Sequence, residues 1–534
     1  MGTVLSLILG LSLFIRGFGI SAVPPELFGD EIDVGYQAYS LLKTGRDIYG
    51  QILPVYIHSL SEWRAPLLMY YTVPSIAAFG NTEIGVRAPE IVLGALGVLI
   101  LYLSTLLTTK SKTISILASL MMCIIPWHFQ YSRAAFEVVL LLDLLLMANL
   151  LFIKKWHSLS ATFFALTFYT YSTAAVFTPL LILILFLLYK PKINLRPILL
   201  FLFILIPFVS QMIFGKAGER FSTVSVFSHP RITEESVEIR AASKSPVEKY
   251  LTNRPFLILR RIMDNYLSAF STEFLFVRGD PTIRHNTNFT GQLLPAMAIP
   301  LVAGIYLLAK KRQYLWLLWL VAAPIPSSLT YDGGYHATRL FVLIPPLCVA
   351  IGAGFRLIGQ SRFRLILGLP VILLLCLQVL QFFNYYYYRY PENSWRWWHM
   401  GYKQAMTSLA KLEPSFSRIY INNTYEPSLI RFLFYTNYSP AKFHKNFTLD
   451  QPQPDVAPNY FGFFLPPKYY FGAFSLPPNK SLPDLITRDS LYLVSQRDDA
   501  WGNWQKNPPG GVNVLDTVTN PFGDPILYLI TRSQ

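Results

Sequence analysis

The sequence predicts a polytopic α-helical membrane protein with about eleven transmembrane helices and a small extracytoplasmic α/β domain at its C-terminus. Of its 534 residues, 53% are hydrophobic and 14% are charged, and the mean hydropathy is +0.38. A soluble chain carries roughly a quarter charged residues and cannot bury such an apolar excess. The three cysteines lie within apolar runs, which indicates no disulfide framework. This composition excludes soluble multidomain, coiled-coil, collagen-like and disordered classes.

Eleven apolar runs approach the length of about 20 residues that a bilayer span requires. They cover residues 2–20, 91–109, 114–126, 138–153, 159–173, 175–189, 197–214, 292–309, 314–330, 339–355 and 365–384. Five of the links between them hold basic residues and no acid: Lys110 and Lys112; Lys154 and Lys155; Lys190, Lys192 and Arg196; Lys310, Lys311 and Arg312; Arg356, Arg362 and Arg364. The positive-inside rule places these links in the cytoplasm. The N-terminus is then inside, the C-terminal tail is outside, and the net charge of +15 is mainly a topology signal.

Three segments depart from simple spans. Residues 158–189 are uncharged, too long for one span and too short for two, which predicts two short helices turning near Tyr169–Ala174. Pro255–Val277 is apolar but carries four charges, which favours an amphipathic helix at the interface. The first span could also be a cleaved signal peptide, but it lacks a basic N-terminal region, and we expect it to be retained.

The predicted extracytoplasmic part consists of loops 21–90 and 215–291 and a tail of residues 385–534. We therefore expect a membrane domain over residues 1–384 and a separate domain after it. In the tail, Arg418–Asn422, Leu491–Ser495, Val512–Val518 and Pro525–Thr531 have strand patterns, and Glu426–Tyr435 has a helical pattern. This mixture predicts a small α/β domain.

The first external loop carries the sharpest local feature, the adjacent carboxylates Asp30 and Glu31. Ionised carboxylates beside low-dielectric lipid are costly unless they are positioned for use. The alternative is a solvated loop in which Asp30 caps a helix over Glu31–Thr44, closed by Gly45. The same loop also contains Arg64-Ala65-Pro66-Leu67 and, before the second span, Phe79-Gly80 and Arg87-Ala88-Pro89.

This pattern over about residues 26–140 resembles the polyprenyl-phosphate-sugar-dependent glycosyltransferases of GT-C fold. Among them it is similar to the protein O-mannosyltransferases and the lipid A aminoarabinose transferases. The family shows an Asp-Glu pair after the first span, a helix ending in Thr-Gly, a Lys-Pro-Pro-Leu element and Arg-x-Pro before the second span. In this sequence Arg64 replaces the lysine of that element, and Ala65 replaces its first proline. Arg64 keeps the charge, although arginine and lysine bind phosphate with different geometry.

The resemblance implies that Asp30 is the general base and that Glu31 orients it or binds the acceptor. Arg64 is implied as a ligand of the donor phosphate, together with Arg133, since the family places an arginine near there. Alternatively, Arg133 forms a surface ion pair with Glu137, four residues later. Arg339 is a further phosphate candidate, or an arginine snorkelling at a span end. The remaining substrate-binding candidates are Glu62, Glu137, Arg284, His285 and His336.

The predicted function is transfer of a sugar from a polyprenyl-phosphate donor to a protein, lipid or glycan acceptor at the outer face of the inner membrane, with inversion. Membrane lipids are expected partners, and nucleic acid is not.

The alternative functions are a polysaccharide ligase or polymerase and a transporter or lipid flippase. A transporter would carry repeat symmetry and several deep charges, whereas Asp143 is nearly alone. No histidine and carboxylate spacing is that of a zinc site, so no metal site is predicted and a divalent metal stays an open question.

Overall fold

The computed structural model describes residues 2–59, 63–215, 218, 223–362, 364–447, 452–498 and 503–533. Four of the described helices are long and apolar enough to cross a membrane: Glu83–Thr109, Leu195–Phe214, Phe341–Gln360 and Arg364–Tyr388. Six shorter apolar helices accompany them: Gly2–Gly17, Leu67–Phe79, Lys112–Ile124, Ala174–Tyr189, Pro295–Lys310 and Tyr314–Ser328. These helices are those of a membrane protein, while the count of eleven spans stays a prediction.

The bundle is organised around the helix Glu137–Ile153, in which all residues except Met147 and Ile153 are buried. A helix that is apolar all round is stable only when other helices surround it. The next helix is His157–Thr167, and Ala174–Tyr189 follows after a short turn. This turn lies where the sequence predicts one, within Tyr169–Ala174.

The remaining described helices lie outside the apolar set. They are Gly29–Thr44, Pro126–Tyr131, Pro230–Ala242, Pro246–Leu251, Arg254–Ser268, Tyr390–Ser394, Tyr402–Leu412, Ser428–Tyr435, Pro440–Asn446 and Leu482–Leu485. Arg254–Ser268 matches the amphipathic helix expected within Pro255–Val277: it is largely exposed, with Asn265 as its one buried residue.

The helix that carries Asp30 and Glu31 runs from Gly29 to Thr44, and Phe28 is its N-cap residue. The alternative in which Asp30 caps a helix over Glu31–Thr44 is wrong, because the helix begins at Gly29 and places Asp30 inside its first turn. At the other end Gly45 has a φ of 69° and donates its N–H to the carbonyl of Leu41. Glycine adopts this left-handed conformation without steric cost, so the predicted stop at Gly45 is confirmed.

A two-stranded hairpin follows the helix Gly29–Thr44. Its strands are β1 (Ile57–His58) and β2 (Trp63–Arg64), which pair antiparallel. Arg64 ends β2 and is held beside the helix Gly29–Thr44. Glu62 lies outside the described residues.

The C-terminal region contains a seven-stranded mixed sheet in the order β4-β5-β6-β3-β7-β9-β8. Its strands are β3 (Arg418–Asn422), β4 (Gln453–Ala457), β5 (Tyr460–Leu465), β6 (Tyr469–Phe474), β7 (Ser490–Ser495), β8 (Val512–Thr519) and β9 (Pro525–Arg532). β3 is parallel to both neighbours, and the other pairs are antiparallel. The four predicted strands are present within a residue or so, whereas β4 to β6 come from a Pro-rich stretch for which no strand was predicted.

One helix of the C-terminal region packs directly on the helix Gly29–Thr44. The helix Ser428–Tyr435 is buried over all residues but its last. A Cβ added to Gly35 would lie 2.6 Å from a ring carbon of Phe434, so the two helices approach each other as closely as a glycine allows. This packing brings residues of the C-terminal region to the Asp-Glu pair.

Candidate active site

Asp30 lies on the wall of a cavity of about 80 Å³ between the helix Gly29–Thr44 and the helix Ser428–Tyr435. Its side chain is 52% exposed. The lining residues are Gly29, Asp30, Asp33, Ser59, Arg64, Glu426, Pro427, Ile430 and Arg431. The cavity therefore has acidic and basic walls drawn from distant parts of the chain, and the carboxylate of Asp30 is accessible within it.

Arg64 lies at the centre of three carboxylates. Its Nη2 is 2.6 Å from Oε1 of Glu137 and 3.5 Å from Oδ2 of Asp30, and its Nη1 is 3.4 Å from Oδ2 of Asp33. The side chain is only 5% exposed. Because these carboxylates compensate its charge, Arg64 is arranged to hold Asp30 in place more than to receive a further anion.

Asp33 is the second carboxylate of this cavity. It follows Asp30 by three residues and therefore shares its helix face. Burial raises the pKa of Asp33 to about 7, with Arg64 opposing the shift and Asp30 adding to it. Sequence reasoning missed Asp33 as a site residue, although the i, i+3 spacing from Asp30 was a signal.

Glu31 points to the opposite side and is fully buried. Its two carboxylate oxygens accept hydrogen bonds from Nε and Nη2 of Arg87 at 2.8 and 2.9 Å. Backbone N–H groups of Phe28 and Ala135 also donate to it. Arg87 in turn donates to three backbone carbonyls of residues 20–26. Glu31 thus fixes the backbone on which Asp30 stands and does not line the cavity.

The C-terminal region contributes Arg431 and Glu426, which sequence reasoning missed. The guanidinium of Arg431 donates to the carbonyl of Pro427, contacts Nδ1 of His399 at 2.8 Å and stacks on Tyr402. Within the part of the chain that the structure describes, no carboxylate lies within 4 Å of this guanidinium, and its Nε is buried without a hydrogen-bond partner. No local sequence signal marks Arg431, because only tertiary packing brings it to Asp30.

Glu426 pairs with His399 at 3.2 Å. Burial opposes ionisation of Glu426, but the hydrogen bond from His399 and the charges of His399, Arg431 and Arg284 outweigh it and lower its pKa. Arg284 itself lies over the ring of Phe28 at 4.7 Å. The basic side of the cavity is therefore formed by Arg431, with Arg284 nearby.

Arg133 is fully buried away from this cavity. Its guanidinium donates to the carbonyls of Ile15, Arg16 and Val23 at 2.5–2.8 Å. Glu137 pairs with Arg64 instead, so the alternative of an i, i+4 pair between Arg133 and Glu137 is wrong. These contacts give Arg133 a structural role in anchoring the end of the first helix.

Arg339 lines a second cavity of about 90 Å³, which is also lined by Tyr56, Ala65 and apolar side chains of three helices. It pairs with Asp332 and donates to Thr330. His285 and His336 lie apart from both cavity linings, beside Asp280. The structure thus brings together Asp30, Arg64 and Glu137 among the predicted residues and separates Glu31, Arg133, Arg339, His285 and His336 from the cavity.

No known protein family matches the chain, and no curated protein matches it by sequence. The structure matches ArnT from Cupriavidus metallidurans bound to undecaprenyl phosphate, with a TM-score of 0.51 and 11% identity over 98% of this chain and 97% of that one. The apo state of ArnT matches with the same TM-score and coverage at 10% identity. ArnT is a GT-C glycosyltransferase. The chain has the GT-C fold.

A further match is the apo oligosaccharyltransferase of Archaeoglobus fulgidus, with a TM-score of 0.47 and 13% identity over 81% of this chain and 63% of that one. The ArnT similarity extends over the helical bundle and the C-terminal sheet alike, since it covers nearly all of both chains. The GT-C resemblance drawn from the first external loop is therefore confirmed at the level of the fold.

Proposed function

We propose that the chain is a membrane glycosyltransferase that transfers a sugar from a polyprenyl-phosphate donor to an acceptor hydroxyl. The observation that carries this proposal is that one small cavity is lined both by the half-exposed carboxylate of Asp30 and by the guanidinium of Arg431, which forms no close ion pair among the described residues. A base and a cation in this arrangement suit a reaction in which a proton is removed on one side and a phosphate departs on the other. The GT-C fold and a membrane bundle agree with a lipid-linked donor.

In the proposed reaction the acceptor oxygen attacks the anomeric carbon while Asp30 takes its proton. The bond between that carbon and the phosphate oxygen breaks, and its electron pair leaves with the polyprenyl phosphate. A single displacement of this kind inverts the anomeric configuration. The carboxylate of Asp30 also places negative charge beside the carbon, where positive charge develops in the transition state.

The departing phosphate gains negative charge, and we assign its stabilisation to Arg431 together with Arg284. Neither guanidinium pairs with a carboxylate among the described residues, whereas Arg64 and Arg339 already do. Arg64 then positions Asp30, and Arg339 lies in the neighbouring cavity of mostly apolar lining, which suits the polyprenyl chain. This assignment differs from the resemblance, which implied Arg64, Arg133 and Arg339 as phosphate ligands.

We further propose that residues 1–384 form the membrane-embedded catalytic domain and that residues 385–534 form an extracytoplasmic domain that completes the site. The completion follows from Glu426, Ile430 and Arg431, which line the same cavity as Asp30. We expect the site to face the outer side of the inner membrane, since the positive-inside rule places the five basic links in the cytoplasm.

The test uses the purified full-length protein with a panel of polyprenyl-phosphate sugars and measures release of polyprenyl phosphate. Wild type should release it from at least one donor. Asp30→Asn should lower turnover by at least about a hundredfold, because general-base catalysis contributes about 10²–10⁴-fold. Asp264→Asn is the matched control, since Asp264 is an exposed external carboxylate on another helix. Near-wild-type turnover of Asp30→Asn would refute the assignment of the base.

The phosphate assignment is tested with the same assay. Arg431→Met should raise KM for the lipid donor and lower kcat, since it removes a cation that binds phosphate in both ground and transition states. Arg339→Met should alter donor kinetics much less. The reverse order of effects would move the phosphate to the cavity of Arg339, and no effect of either variant would contradict both positions.

A further inference from the structure

Three potential metal ligands from two separate loops meet outside the cavity of Asp30. Asp280 and His285 belong to the second external loop, and His336 lies shortly before the helix Phe341–Gln360. One ligand atom from each side chain lies within 4.8 Å of the others. Oδ2 of Asp280 is 3.2 Å from Nδ1 of His285, and the two imidazole centroids are 5.5 Å apart. The sequence alone did not indicate this cluster, because His336 is distant along the chain from Asp280 and His285.

These separations suit a single small cation. Zinc forms bonds of about 2.0–2.1 Å to imidazole nitrogen and carboxylate oxygen in tetrahedral geometry, which places neighbouring ligand atoms about 3.3 Å apart. The Asp280–His285 pair already has this spacing. The remaining separations are at most 4.8 Å, so they need to close by at most about 1.5 Å on binding of an ion.

The surroundings of the cluster hold the ligands in place. The carboxylate of Asp280 accepts hydrogen bonds from the backbone N–H groups of Thr282 and Ala337, each at 2.8 Å, and its side chain is 3% exposed. Such hydrogen bonds typically orient the ligands of metal sites. Nδ1 of His336 is buried and has no hydrogen-bond partner among the residues that the structure describes. A buried imidazole nitrogen without a partner is costly, and coordination of an ion would satisfy one ring nitrogen.

We propose that Asp280, His285 and His336 bind one divalent transition-metal ion of the zinc type. Two imidazoles and one carboxylate favour such an ion over Mg²⁺ or Ca²⁺, which prefer all-oxygen ligand sets. Three protein ligands leave a fourth position for water. The ion ties the second external loop to the segment before the helix Phe341–Gln360.

The consequence for the active site rests on the proposed function. Arg284 is adjacent to His285 and stacks on Phe28, the N-cap residue of the helix that carries Asp30. The His285 ring also lies 5.8 Å from that of Phe136, which precedes Glu137. An ion that fixes His285 therefore fixes Arg284 at the edge of the catalytic cavity.

Metal binding is tested on the purified full-length protein, stripped with a chelator and titrated with Zn²⁺ by calorimetry. We expect one Zn²⁺ per chain and affinity at least about tenfold weaker in both His285→Ala and His336→Ala. His157→Ala is the control, since His157 begins a different helix. Unchanged affinity in both variants, or no binding by wild type, would overturn the proposal.

A second, spectroscopic measurement uses only the wild-type protein, so its result does not depend on whether the variants fold. X-ray absorption of the zinc-loaded wild type should show a four-coordinate shell of nitrogen and oxygen with two imidazoles. A shell containing sulfur, or one without imidazole, would refute the site. Donor hydrolysis is not needed for either measurement, so failure of the metal site and failure of the proposed glycosyltransferase activity are distinguishable.

Discussion

Replacing Glu31 with glutamine should destabilise the protein by about 3–5 kcal/mol, the usual cost of leaving one member of a buried ion pair without its partner. Both side chains of the Glu31–Arg87 pair are 0% exposed. Glutamine keeps one oxygen, so at least one of the charge-assisted hydrogen bonds from Arg87 is lost, at about 1.5–3 kcal/mol. The charge of Arg87 then remains buried without compensation, and this accounts for the rest of the expected loss.

The measurement is thermal unfolding of the full-length protein in detergent, followed by tryptophan fluorescence. Asp30→Asn is the matched comparison, because Asp30 is the adjacent carboxylate and its pair with Arg64 is half-exposed, so its substitution should change stability by at most about 1 kcal/mol. We therefore expect Glu31→Gln to lower the unfolding midpoint strongly and Asp30→Asn to lower it much less while reducing turnover by at least about a hundredfold.

A double-mutant cycle sharpens the comparison. Arg87→Met alone should cost more than Glu31→Gln, because it also leaves three backbone carbonyls without their donor. The double variant should cost less than the sum of the single ones, since no uncompensated charge remains. An unfolding midpoint of Glu31→Gln equal to that of wild type would refute the positioning role. Loss of turnover in a fully stable Glu31→Gln variant would instead place Glu31 in the chemistry.

Two further predictions concern the same helix. Burial raises the pKa of Asp33 from 3.8 to about 7, so the folded state binds a proton that the unfolded chain releases, and wild type loses stability as pH rises from about 4 to 7. Asp33→Asn removes this titration. The free energy of unfolding of the variant minus that of wild type should therefore increase by about 2–3 kcal/mol between pH 5 and pH 8. A difference that does not change with pH would contradict the raised pKa. Gly35→Ala should cost about 1–3 kcal/mol and lower turnover, because its Cβ would meet Phe434 at 2.6 Å. Gly10→Ala, whose Cβ meets nothing within 4 Å, is the control, and equal unfolding midpoints of the two variants would contradict close packing there.

Local signals in the sequence were reliable where the structure depends on neighbouring residues. The stop at Gly45, the strand Arg418–Asn422 and the turn within Tyr169–Ala174 all follow from residues close together in the chain. The strands β4 to β6 were missed, because the Pro-rich composition hid alternation that cross-strand pairing makes stable.

For the charged residues, the sequence indicated some of the important ones, and the tertiary structure decided what each one contacts. Composition and the first external loop by themselves determined a membrane protein with a carboxylate pair and a GT-C resemblance. Only the tertiary structure decided that Asp30 faces the cavity while Glu31 is buried against Arg87, and that Arg431 supplies the opposing cation. The physical reason is that hydropathy and capping act within a few residues, whereas charge compensation depends on which distant side chains packing brings within about 4 Å.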